Sequence, residues 1–309
     1  MAPMAGISGP AFRRSVRRFG AGLVYTEMIS AQGIVHDNRH TLAYLACTPA
    51  DHPIGFQIFA AEPAVLARAA RLCVAAGADL IDLNMACPVR KVMKTGAGAA
   101  LLDMPDLAVD CVQAVVDEVR GEVPVTVKIR AGVRGGDEAG RRVAPRLVAA
   151  GAAAVCIHPR YADQLYKGLA DHAVTLALAG ELAAPVIASG DIATVGPDGQ
   201  VDLASSVRLL DGGVAAVMVA RAALGRPWVF EELLEGQGAP PRDERRRALA
   251  CFVDDVSAEL GSRAVGYLRR FWPKFRRSGT IAPALAAQLM AAADLDAIGR
   301  LVRDEPGCI

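Results

Sequence analysis

Residues 78–91 read ADLIDLNMACPVRK, and this stretch decides how the chain is to be folded. Within the apolar run ADLIDLNM (78–85), LIDLNM (80–85) is the strand candidate, short, mostly apolar and rich in Leu and Ile, as a strand buried on both faces requires. It feeds directly into Cys87-Pro88, and two cations, Arg90 and Lys91, follow. Such a junction is either an ordinary strand end with a small residue before a turn, or a thiol held at the mouth of a site. The stretch alone does not separate the two.

Working outward, similar short apolar or β-branched runs recur. Before it lie APM (2–4), GLVYTEM (22–28) and IGFQIF (54–59). After it come VTVKIR (125–130), AVCIHP (154–159), PVIASGD (185–191) and AAVMVAR (215–221). Helical patterns separate them, such as PAVLARAARLCVAAG (63–77) and MPDLAVDCVQAVVDEVRG (104–121), each with Pro near its start and Gly at its end. Eight strands alternating with helices is the count of a (β/α)8 TIM barrel, while an open doubly wound sheet is the competing arrangement. The barrel is favoured because polar and reactive residues gather at strand ends: Glu27, Gln57, Asn84, Cys87, Lys128, Arg130, His158, Arg160, Ser189, Asp191 and Arg221. A closed parallel barrel brings those ends to one face.

Past residue 236 the pattern changes. GQGAPPRDERRR (236–247) is a Gly/Pro linker into a charged helix start, and no strand pattern follows. Three helices are expected there, with Pro273 kinking or ending the middle one. The division is therefore an α/β TIM barrel over 1–236 and a small all-helical domain over 237–309, packed on the barrel.

Hydrophobic residues make up 53% and aromatics 5%, which suits aliphatic parallel strands under alanine-rich helices. Charges interrupt the apolar stretches well before a membrane-spanning length, and the N-terminus lacks a secretory pattern. Seven cysteines (47, 73, 87, 111, 156, 251 and 308), none in a Cys-x-x-Cys pair, fit neither a disulfide framework nor structural zinc. A reduced cytoplasm is expected, with no metal and no membrane. Residues 1–241 hold 22 Lys and Arg against 24 Asp and Glu; residues 242–309 hold 12 against 9. Between Leu260 and Ala293 stand Arg263, Arg269, Arg270, Lys274, Arg276 and Arg277 and no acid, a possible footprint for a polyanion.

APMAG (2–6), LIDLNMACPVRKVMKTGAGAALL (80–102), VKIR (127–130), IHPRYADQLYKG (157–168), IASGDI (187–192) and VARAALGRPWVF (219–230) occur in that order. Together they resemble the tRNA-dihydrouridine synthases, through almost the whole barrel, and the C-terminal segment resembles that family's helical domain. The resemblance implies FMN, NADPH as electron donor, and reduction of the 5,6 double bond of tRNA uridines. It places Pro3, Met4, Ala5, Gln57, Lys128, His158, Ser189, Gly190, Asp191, Ala220 and Arg221 toward the flavin. It places Arg160 toward substrate or phosphate, and Arg263, Arg269, Arg270 and Lys274 on the tRNA.

The residues permit that chemistry. A hydride to one carbon needs a proton to its neighbour, and Cys87, a thiol with an ordinary pKa near ~8.5, is a proton donor at neutral pH. Asn84 donates and accepts at once and so reads a uracil edge, or else satisfies the backbone at its strand end. Lys128 inside an apolar run needs an anionic partner, which reduced flavin supplies. His158 is open to flavin contact, base catalysis or a core role. The segment KTGAGAALL (94–102) is read as a flexible loop that folds over substrate, with Arg90, Lys91 and Lys94 toward RNA. Cys73, Cys111 and Cys251 are expected to be buried and structural.

The chain departs from the family at Ala86, Ser189, Ala220, Pro159 and Tyr161, where Gly, Asn, Gly, Gly and Thr are usual. Ala220 is expected to weaken a close backbone approach to phosphate. The rival readings are an FMN barrel acting on a free pyrimidine or dihydroorotate, and a barrel that binds RNA without catalysis. A monomer is expected.

Overall fold

In the computed structural model, which describes residues 1–196 and 201–304, eight strands form one parallel sheet. They are β1 (Val24–Tyr25), β2 (Ile29–Ser30), β3 (Ile54–Phe59), β4 (Leu80–Met85), β5 (Val125–Gly132), β6 (Ala154–Tyr161), β7 (Val186–Ser189) and β8 (Ala216–Met218). The sheet runs β1-β3-β4-β5-β6-β7-β8, and β2 pairs with the end of β3. The segment APM (2–4) is not a strand. It completes the circle instead, because Met1 N donates to Leu23 O and Ala2 N to Val219 O, both at 2.7 Å. The eighth strand is the short β2, which lies just past GLVYTEM (22–28) and was not among the expected strands.

Both faces of these strands are buried, so the two faces are told apart by chemistry rather than by burial. Outward residues such as Ile81, Leu83, Val127, Ile129, Val155 and Ile157 join the main core against the surrounding helices. Inward residues Tyr25, Leu80, Cys156 and Met218 form a second apolar cluster on the barrel axis. Going up the axis, inward positions turn polar every second residue: Leu80, Asp82, Asn84 on β4 and Thr126, Lys128, Arg130 on β5. The period of two along a strand thus delivers polar groups to the C-terminal mouth.

The covering helices Pro63–Ala75 and Pro105–Val119 begin with proline, whose missing N–H has no partner to lose there. The second buries Ala108, Cys111, Val112, Val115 and Val119, a stripe at helical spacing. Beyond β8, every helix and strand element among the described residues is helical. The expected middle helix is not one helix kinked at Pro273. It divides into Ala264–Leu268 and Trp272–Arg277, and Pro273 sits in the first turn of the latter. The expected third helix also divides, into Pro283–Ala291 and Leu295–Asp304. Asp294 Oδ1 accepts from Ala297 N at 2.8 Å and so caps the last piece.

These helices do not own a separate core. Phe12 and Val16 of the helix Pro10–Arg17 belong to the same buried cluster as Phe252, Phe271 and Trp272. The Phe12 and Phe271 rings lie 6.0 Å apart, a contact worth about 0.5–1.5 kcal/mol beyond burial. Around it, Arg14 and Arg18 pair with Asp255, and Ala11 N donates to Glu259. No helix among the described residues is long and apolar enough to cross a membrane. Cys308 lies outside the described residues, and Cys251 is exposed rather than buried.

Candidate active site

Cys87 lies two residues past β4 in a tightly held turn. Asn84 Oδ1 accepts from Ala86 N (3.1 Å) and Cys87 N (2.9 Å), and Arg130 Nε donates to Ala86 O (2.9 Å). From the far side, Ala99 N donates to Cys87 O at 3.0 Å. Residue 98 is glycine for two reasons: φ is +65°, and an added Cβ would lie 2.7 Å from Cys87 O. The segment KTGAGAALL (94–102) is therefore not a free flap. Its second half is a buried 3-10 helix, Gly98–Asp103, that braces the thiol. Only the short helix Arg90–Met93 stands out into solvent, with Arg90, Lys91 and Lys94 exposed and unpaired among the described residues.

Asn84 does not offer a free edge for a base. Its oxygen is engaged by the backbone, and Nδ2 donates to Gln57 Oε1 at 2.7 Å. Gln57 Nε2 in turn donates to Asp82 Oδ2 (2.6 Å), and Thr126 Oγ1 donates to Asp82 Oδ1 (2.6 Å). A buried polar chain thus runs from Asp82 to the Cys87 turn. Asp82, which the sequence reading passed over, stands two residues before Asn84 on the same face. Burial pushes its carboxyl pKa up, against the Gln57 and Thr126 hydrogen bonds and the Lys128 charge.

Lys128, one register position across from Asn84, is buried and makes no hydrogen bond or ion pair with the described residues. Burial lowers its pKa. The Asp82 charge acts on it through space, and its Nζ is not among the fully buried unpartnered side-chain atoms, so the ammonium keeps some opening where an anionic ligand would pair with it. The Cys87 thiol is raised by burial, while the Val89 backbone and the Arg130 and Lys128 charges pull the other way. Cys73, on a covering helix, has burial alone and is pushed up to about 12.

His158 is half-buried, and its Nε2 lies 3.1 Å from Arg160 Nη1. A guanidinium only donates, so Nε2 accepts and Nδ1 carries the proton. Burial lowers the His158 pKa to about 2, helped by Lys128, Arg130, Arg160 and Arg221. The imidazole is thus neutral and holds one N–H donor. Arg160 itself is buried and turned inward, donating also to Lys167 O, Gly168 O and Asp191 Oδ2. Its donors hold loop and histidine.

The ends of β7 and β8 face the same mouth. Asp191 accepts from Arg160, from Ala170 N (2.9 Å) and from Arg221 Nη2 (2.8 Å). Burial works against its charge, but these donors outweigh it and lower its pKa. Its carboxylate therefore organises the two arginines. Ser189 is a buried residue whose hydroxyl makes no hydrogen bond with the described residues, and the backbone N–H groups of Gly190, Ala220 and Arg221 donate to nothing among them. Gly190 has φ +95°, and a Cβ there would meet His158 at 2.8 Å. Ala220 has φ −118°, so no glycine is required there, and Ala86 likewise has no positive φ. The unpartnered ammonium, hydroxyl, imidazole N–H and backbone amides suit a flavin with a phosphate tail.

Of the N-terminal residues, Met4 N donates to Ser8 Oγ (2.8 Å) and Met4 O accepts from Ile7 and Ser8, which forms a turn on the rim after Pro3. Ala5 is exposed, and Gly6 N donates to Glu27 at the end of β1. Arg270 reaches this rim, where a Cβ on Gly6 would lie 3.5 Å from its Nη1. Arg263, Arg269, Arg276 and Arg277 are exposed on the helical face and Lys274 is half-buried. Arg269 Nη2 donates to Ala292 O. The interleaved aromatics Phe271, Trp272 and Phe275 are packed inside. No cluster of His, Cys, Asp or Glu disposed to hold a metal occurs among the described residues.

Residues 1–263 match the family described as Dihydrouridine synthase (Dus). The chain belongs to the dihydrouridine synthase family. It is 41% identical over 233 residues to the tRNA-dihydrouridine synthase B of Xanthomonas campestris pv. campestris, covering 75% of this chain and 68% of that one. With the tRNA-dihydrouridine synthase B of Pseudomonas aeruginosa it shares 38% identity over 235 residues, again 75% and 68% of the two chains. Its fold is similar to that of an old yellow enzyme homologue from Zymomonas mobilis, with a TM-score of 0.52 at 14% identity, over 78% of this chain and 86% of that one. The family membership and the barrel agree with the sequence reading.

Proposed function

We propose that the barrel mouth reduces the 5,6 double bond of uridine in tRNA, with FMN as resident cofactor and NADPH as electron donor. Bound FMN would supply the hydride, chemistry that no side chain provides. Lys128 would hold its anionic pyrimidine side, and Ser189, Gly190, Ala220 and Arg221 its phosphate. The observation that carries the reading is the Cys87 turn, held by Asn84 and Arg130, at a mouth where Lys128 makes no hydrogen bond or ion pair with the described residues.

The Cys87 thiol is the proton donor in this reading. Its raised pKa keeps the S–H intact at neutral pH, and the braced turn holds it in place. The proton passes from Sγ to the uracil carbon next to the one receiving hydride, leaving a thiolate that the Val89 N–H and the Arg130 and Lys128 charges stabilise. Asn84 and Gln57 position that turn. Arg90, Lys91 and Lys94 on one side and Arg263, Arg269, Arg270 and Lys274 on the other grip the RNA backbone.

The test is direct. Protein loaded with FMN should convert uridine to dihydrouridine in unmodified tRNA with NADPH, read as a gain of two mass units per site. A pool of unmodified tRNA left unchanged by a preparation whose flavin is bleached by NADPH would refute the assignment. Activity on free uracil or dihydroorotate alone would favour the small-molecule rival.

A further inference from the structure

Arg130 lies two residues beyond Lys128 on the inward face of β5, and its guanidinium joins two loops that carry opposite sides of the mouth. Nε donates to Ala86 O in the Cys87 turn at 2.9 Å. Nη1 donates to Tyr161 O, the last residue of β6, at 2.9 Å and to Leu165 O, in the loop after it, at 2.8 Å. The Tyr166 ring covers the cation, 5.4 Å from Cζ to the ring centre. The side chain is 1% exposed, so it is part of the frame and not a solvated charge. Leu165 adopts φ +53°, an uncommon state for a branched residue, at the carbonyl that Arg130 holds. Arg160 grips the same loop farther on, at Lys167 O and Gly168 O, but ties it to Asp191 beyond β7.

We propose that Arg130 is a positioning residue. It fixes the Cys87 turn against the 161–169 loop, and thereby the distance from the thiol proton to a base lying across the mouth. The role needs a planar fork, because carbonyls on two sides must be reached at once; a lysine ammonium on a single stem does not span them. The proposal rests on Cys87 as proton donor, and it predicts an effect on the step that uses the thiol and not on the step that loads electrons.

The experiment uses the FMN-loaded protein, NADPH and unmodified tRNA, with Arg130→Lys, Cys87→Ala and the double variant. Arg130→Lys should leave anaerobic flavin bleaching by NADPH within about twofold. It should slow reoxidation of the reduced flavin by tRNA about 10- to 100-fold, the range for a small misplacement of a reacting group. Added to Cys87→Ala, it should slow reoxidation no further. Iodoacetamide should alkylate Cys87, mapped by mass, severalfold faster in Arg130→Lys than in the parent. Equal slowing of bleaching and reoxidation, or an additive effect on Cys87→Ala, would overturn the proposal. If Arg130→Lys does not fold, Tyr166→Leu, which removes only the ring over the guanidinium, should show the same pattern with a smaller factor; unchanged alkylation and reoxidation there would also overturn it. Failure of the Cys87 reading shows separately, as full product formation by Cys87→Ala alone, whatever Arg130→Lys does.

Discussion

The chain carries two concentrations of positive charge, and they are built in opposite ways. At the barrel mouth Lys128, Arg130 and Arg160 are buried, and both arginines have their donors fixed on carbonyls, a histidine or a carboxylate. On the C-terminal helices Arg263, Arg276 and Arg277 are exposed with no ion pair among the described residues, and the exposed Arg270 lies over Tyr267 with its charge acting on Glu27. Buried charge must be paired or await a ligand, so it sets geometry. Exposed charge is cheap to display and acts at a distance, with a strength that salt controls. Lys128 is the exception inside the barrel, buried and unpaired.

The sharpest test of this contrast is Cys87→Ala. Dihydrouridine formation, counted by mass spectrometry of tRNA, should fall about 10²- to 10⁴-fold, the range for a lost general acid, while NADPH still bleaches the flavin. Next is Lys128→Met. Removing a charge-assisted contact worth about 1.5–3 kcal/mol should weaken FMN binding on the order of tenfold to a hundredfold. The flavin-free variant should melt no lower than the flavin-free parent, because Lys128 makes no hydrogen bond or ion pair with the described residues. A lower melting temperature would mean Lys128 already has a partner and would erase the exception.

Effects on the helical face should be smaller and of another kind. Arg270→Ala or Lys274→Ala should raise the KM for tRNA a fewfold, leave flavin bleaching unchanged, and reduce the slope of log affinity against log salt by about one. The last test is a pH effect on stability. His158 titrates near 2 in the folded chain against about 6.5 unfolded, so the unfolded chain binds the extra proton between those values. This contribution to stability is complete above about pH 6.5 and is lost as pH falls below it. His158→Asn should therefore flatten part of the decline in urea midpoint between pH 6.5 and 5.

What the sequence revealed followed from periodicity. IGFQIF and LIDLNM are strands at the limits their patterns suggested, because aliphatic runs with turn residues at both ends leave little choice. The short β1 and β8 blurred into longer runs and β2 was missed, since strands of two or three residues have no period to read. At the site, residue types were legible and orientations were not. Arg130 and Asp82 stand two residues from Lys128 and Asn84 on the same inward faces, a spacing that was visible in the sequence. That Asn84 and Arg160 turn their polar atoms into the frame depends on which neighbours fold against them.

The shared core of barrel and helices bears on how the protein comes apart. With Phe12 and Val16 packed against Phe252 and Phe271, there is no seam along which the last 70 or so residues separate cleanly. Denaturation should proceed as a single cooperative transition, with coincident loss of flavin signal and helicity. Cutting the chain near residue 241 would strip an apolar surface bare and produce a sticky fragment. RNA affinity is therefore better dissected by single charge changes than by deletion.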